Sequence, residues 1–352
     1  MNSPQPWLRL GTRLRESFEM EKTLRILGIR GLPAKHGGFE TFAESFALYL
    51  VKHGWRVVVY CQAEADQMHG PDVWRGVELV HIPVRQQGAL GTIVFDWKST
   101  RHAARSDGLI LTLGYNTAVF CALYRLRRRT NLINMDGIEW KRDKWSRVAR
   151  TWLLLNEFAG CWLANHLIAD NPEIAKHLKT RVTKTKITMI PYGSTEITDA
   201  EVERLADFGL TPHRYAIVVA RPEPENSILE IVTAFSQMDR GFKLVVLGNF
   251  EKANPEYRKR VFEAASAEVL FPGAIYESQT LHALRYFAVA YVHGHRVGGT
   301  NPSLVEALGA GSPVIAHDNK FNRWVAGDKN LFFFFLCCIS SALASIKVSI
   351  KN

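Results

Sequence analysis

Short apolar runs that each lead through a polar or glycine-bearing turn into a helical stretch recur along nearly the whole chain, and the series breaks once. In the first series the runs lie at 24–30, 55–61, 77–83, 109–113, 131–135 and 164–169. Short, apolar and separated by helical stretches, they have the pattern of strands buried on both faces of a parallel sheet that helices cover. Phe39, Phe42, Phe46 and Leu50 recur at helical spacing and stop at Gly54, which predicts the first helix. Near 191–212 the pattern lapses into YGSTEITDAEVERLADFGLTP, and a second series follows at 215–220, 242–248, 269–272, 288–293 and 313–316. Two consecutive series predict an α/β chain of two βα domains, 20–195 and 213–330, joined by a linker at 196–212 and facing a cleft where strand ends and helix N-termini meet.

The length of 352 residues agrees with two domains. The five cysteines are scattered, with no CxxC pair, so a disulfide scaffold and a structural zinc site are not expected and a reducing compartment fits. The start lacks the apolar core of a signal peptide, and no run of apolar residues is long enough for a membrane span. Residues 1–19 have no clear period and read as an extension upstream of Met20. At the other end, 331–346 reads LFFFFLCCISSALASI, an apolar tail without helical amphipathicity. It is expected to be aberrant, from a truncated or frameshifted C-terminus, with a membrane-touching tail as the rival reading. Net charge is +10 and unevenly placed: residues 1–195 carry +11 and residues 196–352 carry −1. Nine basic residues against three acids fall between Arg125 and Arg150. One half of the chain therefore faces something anionic, or simply has a basic solvated surface.

Four segments carry residues suited to chemistry. RGLPAKHGGFE (30–40) follows the first strand and opens the first helix. Gly37 and Gly38 let backbone approach a ligand, and the helix start offers N–H groups to an anion. It is not GxGxxG, so a nicotinamide fingerprint is absent. A plain βα turn reads the same way, and Thr41 to Glu44 also reads as a capping box. NMDGIEWKR (134–142) lies at the carboxyl end of a strand. Asp136 and Glu139 could take a proton or orient a hydroxyl, and Lys141 and Arg142 could hold a phosphate. The alternative is a surface ion-pair loop.

ARPEPEN (220–226) opens a helix after the first strand of the second series, where Arg221 could clamp a diphosphate or stand on the surface of a proline-rich turn. HGHRVGGTNPSLVEA (293–307) is the richest segment. Gly299, Thr300, Asn301 and the amides around Ser303 predict an anion-binding helix start, and Glu306 lies one turn in, within reach of paired hydroxyls. Ser303-x-x-Glu306 is equally a capping box. His293 and His295 have no evident third ligand, so they read as cleft-lining histidines rather than a metal site.

Together and in this order, over roughly 24–328, the four segments resemble the family 4 glycosyltransferases, which have the GT-B fold of two Rossmann-like domains. The wording RGLPAKHGGFETF, MDGIEWKR, RPEPEN and HGHRVGGTNPSLVEA is similar to the bacterial rhamnosyltransferase-like branch of polysaccharide biosynthesis. The resemblance implies that Gly37 and Gly38 lie against the donor diphosphate. A His-Gly pair that contacts the transferred sugar is here Asp136-Gly137, so that role falls to Asp136. Of an Arg and a Lys that bind the diphosphate, Arg221 is present and the Lys position reads Glu225-Asn226. Of two spaced glutamates, Glu306 matches the ribose-binding one, while the first falls on Gly298, leaving its sugar contact to Thr300, Asn301 or a neighbour.

Asp136 and Arg221 are thus the expected catalytic residues, with Gly37, Gly38, Arg221, Asn226, Gly299, Thr300, Asn301, Ser303 and Glu306 around the donor. Glycosyl transfer passes through an oxocarbenium-like state and releases a diphosphate, so cations and N–H donors are the main need. No DxD triplet occurs. The expected reaction uses a nucleotide-diphosphate sugar as co-substrate, no metal and no other cofactor, with retention of anomeric configuration. The implied acceptor is a polyprenyl-diphosphate-linked saccharide at the inner, cytoplasmic face of the cell membrane. Arg125, Arg127, Arg128, Arg129, Lys141 and Arg142 are the expected acceptor or membrane face, at about 1 kcal/mol of attraction per basic residue. Rival readings are an inactive truncated remnant that binds nucleotide, a GT-B sugar-nucleotide epimerase, and a basic nucleic-acid binder, for which no motif speaks.

Overall fold

The structure, a computed structural model, describes residues 22–34, 37–64, 72–142, 144–334 and 336–344. The expected extension at 1–19 and the end of the apolar tail, 345–352, lie outside them. The chain forms two compact units. The first runs through Met135 and adds Thr151–Ile168 and Leu178–Thr188; the second holds Asp136–Arg150, Ala169–His177 and the chain from Met189. Two segments from the expected first domain, one bearing Asp136, thus belong to the second compact unit.

The first unit is built on an eight-stranded sheet of β1 (Thr23–Leu27), β2 (Arg56–Glu64), β3 (Val73–Trp74), β4 (Val77–Val84), β5 (Leu109–Leu113), β6 (Asn131–Asn134), β7 (His166–Ala169) and β8 (Ile187–Met189), ordered β3-β4-β2-β1-β5-β6-β7-β8. The pairs from β4 to β7 are parallel, and β3 is an antiparallel hairpin partner of β4. All five residues of β1 are buried, as a central strand of a covered parallel sheet requires. Helix α1 (Gly38–Lys52) buries Ala43, Ala47 and Leu50, one helical stripe, against that sheet. The remaining helices of this part of the chain are α2 (Gly88–Ala103), α3 (Ala122–Leu126), α4 (Arg147–Leu163) and α5 (Pro172–Leu178). Gly28, just past β1, has φ +88°, and a Cβ there would stand 2.0 Å from the Leu113 carbonyl oxygen at the end of β5. Only glycine fits that approach.

The second unit carries six strands: β9 (Tyr215–Val219), β10 (Lys243–Leu247), β11 (Val269–Gly273), β12 (Ala290–His293), β13 (Val314–His317) and β14 (Leu331–Phe333). Their order is β11-β10-β9-β12-β13-β14, and every pair is parallel. This is the doubly wound order, reversing direction between β9 and β12. Helices α6 (Ile228–Phe235), α7 (Pro255–Glu263), α8 (Ser278–Tyr286), α9 (Pro302–Gly309), α10 (Lys320–Ala326) and α11 (Leu336–Ala344) alternate with the strands. Along β9, Ala216 and Val218 join one apolar cluster while Tyr215 and Ile217 join another. Full burial of a valine or isoleucine such as Val218 or Ile217 contributes about 1.5–3 kcal/mol.

Two expectations fail here. The linker at 196–212 holds a short 3₁₀ segment, Val202–Phe208, whose Leu205 is buried in the second unit's core with Leu210. The apolar tail does not begin at Leu331. Residues Leu331–Phe333 pair in register with Ile315–His317, and Phe333, Ile339 and Leu343 are buried in the cluster that includes α6. Ile339 and Leu343 are one helical turn apart, so this stretch carries a helical period where none was expected.

Candidate active site

At the reversal of strand order in the second sheet, the chain leaving β9 and the chain leaving β12 stand side by side, where open α/β sheets bind ligands. Beyond β9, Asn226 is buried. Its side chain donates to the Arg221 carbonyl (2.8 Å) and its own amide donates to the Glu223 carbonyl (2.9 Å), closing the proline-rich turn. A Cβ at Gly294, beyond β12, would lie 2.2 Å from the Asn226 carbonyl oxygen, so glycine is required where the two loops touch. Arg296 ties them further, donating its amide to the Glu225 carbonyl (3.0 Å) and its Nε to Ser227 Oγ (2.9 Å). The Asn226 side chain, expected around the donor, holds this loop. The Arg221 side chain is 63% exposed, its nearest ionic neighbour being Glu223 at 3.9 Å.

His293, at the end of β12, is fully buried, and its ring stacks on that of His295 at 4.3 Å. Burial, helped by the Arg221 charge, pushes His295 down to about 3, so its imidazole is neutral at physiological pH. His293 is likewise held well below its ordinary value by burial and by its histidine neighbours. Among the described residues, neither His293 Nε2 nor His295 Nδ1 has a hydrogen-bond partner. Among the described residues no group of three or more His, Cys, Asp or Glu is placed to hold a metal ion.

The loop continues to Gly299 and Thr300, which close on Asp170. The Thr300 amide donates to Asp170 Oδ2 at 2.6 Å, and the Thr300 hydroxyl donates to the Asp170 carbonyl. A Cβ at Gly299 would lie 2.3 Å from the same carboxylate. Gly299 and Thr300, expected around the donor, are thus packed on Asp170. Asn301, not Ser303, caps α9: its side chain accepts from the Ser303 amide (3.3 Å) and hydroxyl (2.9 Å), and its carbonyl accepts from Leu304 and Val305. That correction removes the Ser303 capping box, and it fills the first amides of the helix that were expected to bind an anion. Glu306 lies one turn in, and the buried Arg285 of α8 donates to its Oε2.

The segment after β6 packs in the same unit. Asp136 has φ +46°, and a Cβ on Gly137 would approach Gly298 Cα to 3.3 Å. Burial pushes the Asp136 carboxyl up to about 7, with the negative charges of Glu139 and Asp170 adding to the effect. Asp170 is pushed up to about 6 by burial, against the pull of the Thr300 amide. Arg142 binds both Glu139 and Glu225. Burial alone would raise the Glu225 carboxyl, but the Arg142 hydrogen bond and charge outweigh it and hold it below its ordinary value. Asp170 and Arg285 escaped the sequence reading. The Asp-Asn-Pro turn directly after a strand was the one available signal for Asp170; Arg285, inside a helix, gave none.

The expected basic face is largely engaged elsewhere. Arg125 donates to the carbonyls of Trp162, Leu163 and Ala164 at the end of α4, Arg129 pairs with Asp107, and Arg142 is held as above. Lys141 stands over the Trp140 ring at 5.2 Å. Arg127 and Arg128 are exposed. In the first unit, Gly37 precedes α1 in extended conformation and a Cβ on it would meet nothing within 4 Å. The loop before it is fixed by α1 carboxylates: Glu40 accepts from the Arg30 amide (3.3 Å) and Glu44 from the Ala34 amide (2.7 Å). Glu44 therefore does not serve a capping box with Thr41.

Residues 207–335 match the family Glycosyl transferases group 1, and residues 21–195 match Domain of unknown function (DUF1972). No curated protein matches the sequence. Among solved structures, Anabaena Alr3699/HepE in complex with UDP and glucose is 15% identical, with TM-score 0.70 over 94% of this chain and 90% of that one. An α,α-trehalose-phosphate synthase (UDP-forming) from Burkholderia xenovorans in complex with glucose-6-phosphate is 12% identical, with TM-score 0.67 over 94% and 92%. A glycosyltransferase from Rickettsia africae is 12% identical, with TM-score 0.61 over 92% and 87%. The fold is GT-B, two Rossmann-like domains, and with its group 1 domain the chain is a glycosyltransferase. That domain extends to 335, so β14 belongs to it.

Proposed function

We propose that the chain transfers a sugar from a nucleoside-diphosphate donor to a polyprenyl-diphosphate-linked saccharide in cell-surface polysaccharide synthesis. The glycosyltransferase class and the coarse reaction, sugar transfer from a nucleotide sugar, are supported by the group 1 domain and the UDP-bound GT-B neighbours. The observation that carries the reading is that the loops leaving β9 and β12, neighbours at one strand-order reversal, bear the exposed Arg221 guanidinium on one and lead to Glu306, one turn into α9, on the other. In this reading Arg221 meets the diphosphate, and Glu306, braced at Oε2 by Arg285, accepts from ribose hydroxyls. Asp136, with its carboxyl raised toward neutrality, is suited to donate a hydrogen bond to a sugar hydroxyl, as the histidine of related enzymes would. Stabilisation of the leaving diphosphate by Arg221 is the step that lowers the barrier. We assign no metal to the reaction, retention of configuration, and rhamnose or a related hexose as the sugar, all from the resemblance of the four segments.

The test is donor turnover by purified protein over a panel of nucleotide sugars, with and without a lipid-diphosphate-sugar acceptor in vesicles. Acceptor-dependent release of nucleoside diphosphate is the expected result. Donor converted equally without acceptor would instead make the protein an epimerase, and nucleotide binding without any turnover would make it a remnant.

A further inference from the structure

Helix α4 is amphipathic with its polarity inverted. From Thr151 onward its buried side includes the polar Asn156 and Glu157 beside Leu153, Gly160 and Cys161. Its solvent side carries Trp152, Leu155 and Trp162, spaced to share one stripe, with Leu155 61% and Trp162 69% exposed. An ordinary surface helix places such residues inward. Exposed apolar surface also lies next to the helix end. The Trp152 indole N–H donates to the Asn116 carbonyl at 2.9 Å, and the carbonyls at the end of α4 receive the Arg125 guanidinium, which brings α3 alongside. There Leu126 is 80% exposed and is followed by exposed Arg127 and Arg128.

The segments that form this surface carry almost only positive charge, with the exposed Asp107 paired to Arg129 beside α3. Residues 109–135 and 178–188 contain no acid, and the stretch 151–168 contains only Glu157. Glu157 is buried and paired with Arg181. The outer surface offers tryptophan, leucine and cations together, the composition of a segment that lies in a headgroup region, with aromatic rings at the interface and cations at lipid phosphates. A second copy of this chain seated on the same face would set cationic surface against cationic surface, which argues against self-association.

We propose that the outer face of α4, with Leu126, Arg127 and Arg128, docks the first unit onto an anionic lipid bilayer. This deepens the reading above, since a lipid-linked acceptor is presented at such a surface, but the docking is testable without any substrate. No described helix is long and apolar enough to cross a membrane, and the proposed attachment needs none.

The experiment is co-sedimentation of the full chain with vesicles of phosphatidylglycerol in phosphatidylcholine and with vesicles of phosphatidylcholine alone. Binding to the anionic vesicles is expected to be stronger by on the order of tenfold. The double variant Leu155→Glu, Trp162→Glu is expected to lose at least about tenfold of that binding. Arg127→Glu with Arg128→Glu is expected to abolish the preference between the two vesicle types. Melting curves of the first variant serve as the folding control, and a Leu155→Ser, Trp162→Ser pair decides the matter if the glutamates lower the melt. Unchanged vesicle binding by the folded variant overturns the proposal. So does a wild-type dimer that the same substitutions disperse while no vesicle binding occurs. Donor turnover on a soluble acceptor analogue, measured on the Leu155, Trp162 variant, separates failure of docking from failure of the transferase reading.

Discussion

The two sheets share a doubly wound order, and each reverses it beside a loop that carries glycines, yet the two reversals are furnished differently. In the first unit the loop after β1 is held by backbone amides donated to Glu40 and Glu44, and its tight point is a glycine against a carbonyl. In the second, the loops after β9 and β12 gather Arg221, His293, His295, Asp170 and Glu306 with its brace Arg285. The same topology thus supplies a shaped backbone in one place and a set of tuned charges in the other. Fold alone does not locate chemistry; the density of buried and paired polar groups does.

The contrast can be broken at several points. The largest effect belongs to Gly28→Ala. The new methyl would meet the Leu113 carbonyl at 2.0 Å in a left-handed backbone, and a loss of about 4 kcal/mol in chemical denaturation is expected. Next is Arg142→Met in the second unit. It would leave Glu139 and Glu225 as partly buried carboxylates without their guanidinium, at a cost of about 3 kcal/mol.

Asp136 tests the electrostatics. Its carboxyl is raised in the folded protein, so the folded state binds more protons than the unfolded one between the unfolded value near 4 and about 7. Stability contributed by this group is therefore present at low pH and lost as pH rises through that window. The Asp136→Asn variant is expected to remove a decline of more than about 1 kcal/mol from the pH profile of melting. An unchanged slope would show that Asp136 ionises normally. The smallest effect is expected for Gly37→Ala, where the added methyl meets nothing within 4 Å. Stability should change by less than about 0.5 kcal/mol, while the donor KM rises if backbone at this position approaches the diphosphate.

Much of this arrangement was legible in the sequence because it follows from local pattern. The two strand series, the turns that bear Gly37, Asp136 and Arg221, and the helix that bears Glu306 all come from apolar runs and the turns that end them. What could not be read is direction and pairing. Arg125 and Arg129 look in sequence like members of a basic surface, yet one caps the end of α4 and the other pairs with Asp107. Asp170 and Thr300 are far apart along the chain and meet only through the fold. The run LFFFFL hid a strand because a uniformly apolar segment carries no period from which strand and helix can be told apart.

The most direct test of the second unit's role is calorimetric titration of nucleoside diphosphate into the wild-type protein and into Arg221→Ala. Arg221 is exposed, so its removal leaves the fold intact. A charge-assisted contact to the diphosphate predicts that Kd rises by roughly tenfold or more in the variant. Equal Kd values for the two proteins would contradict the placement of the donor diphosphate at Arg221.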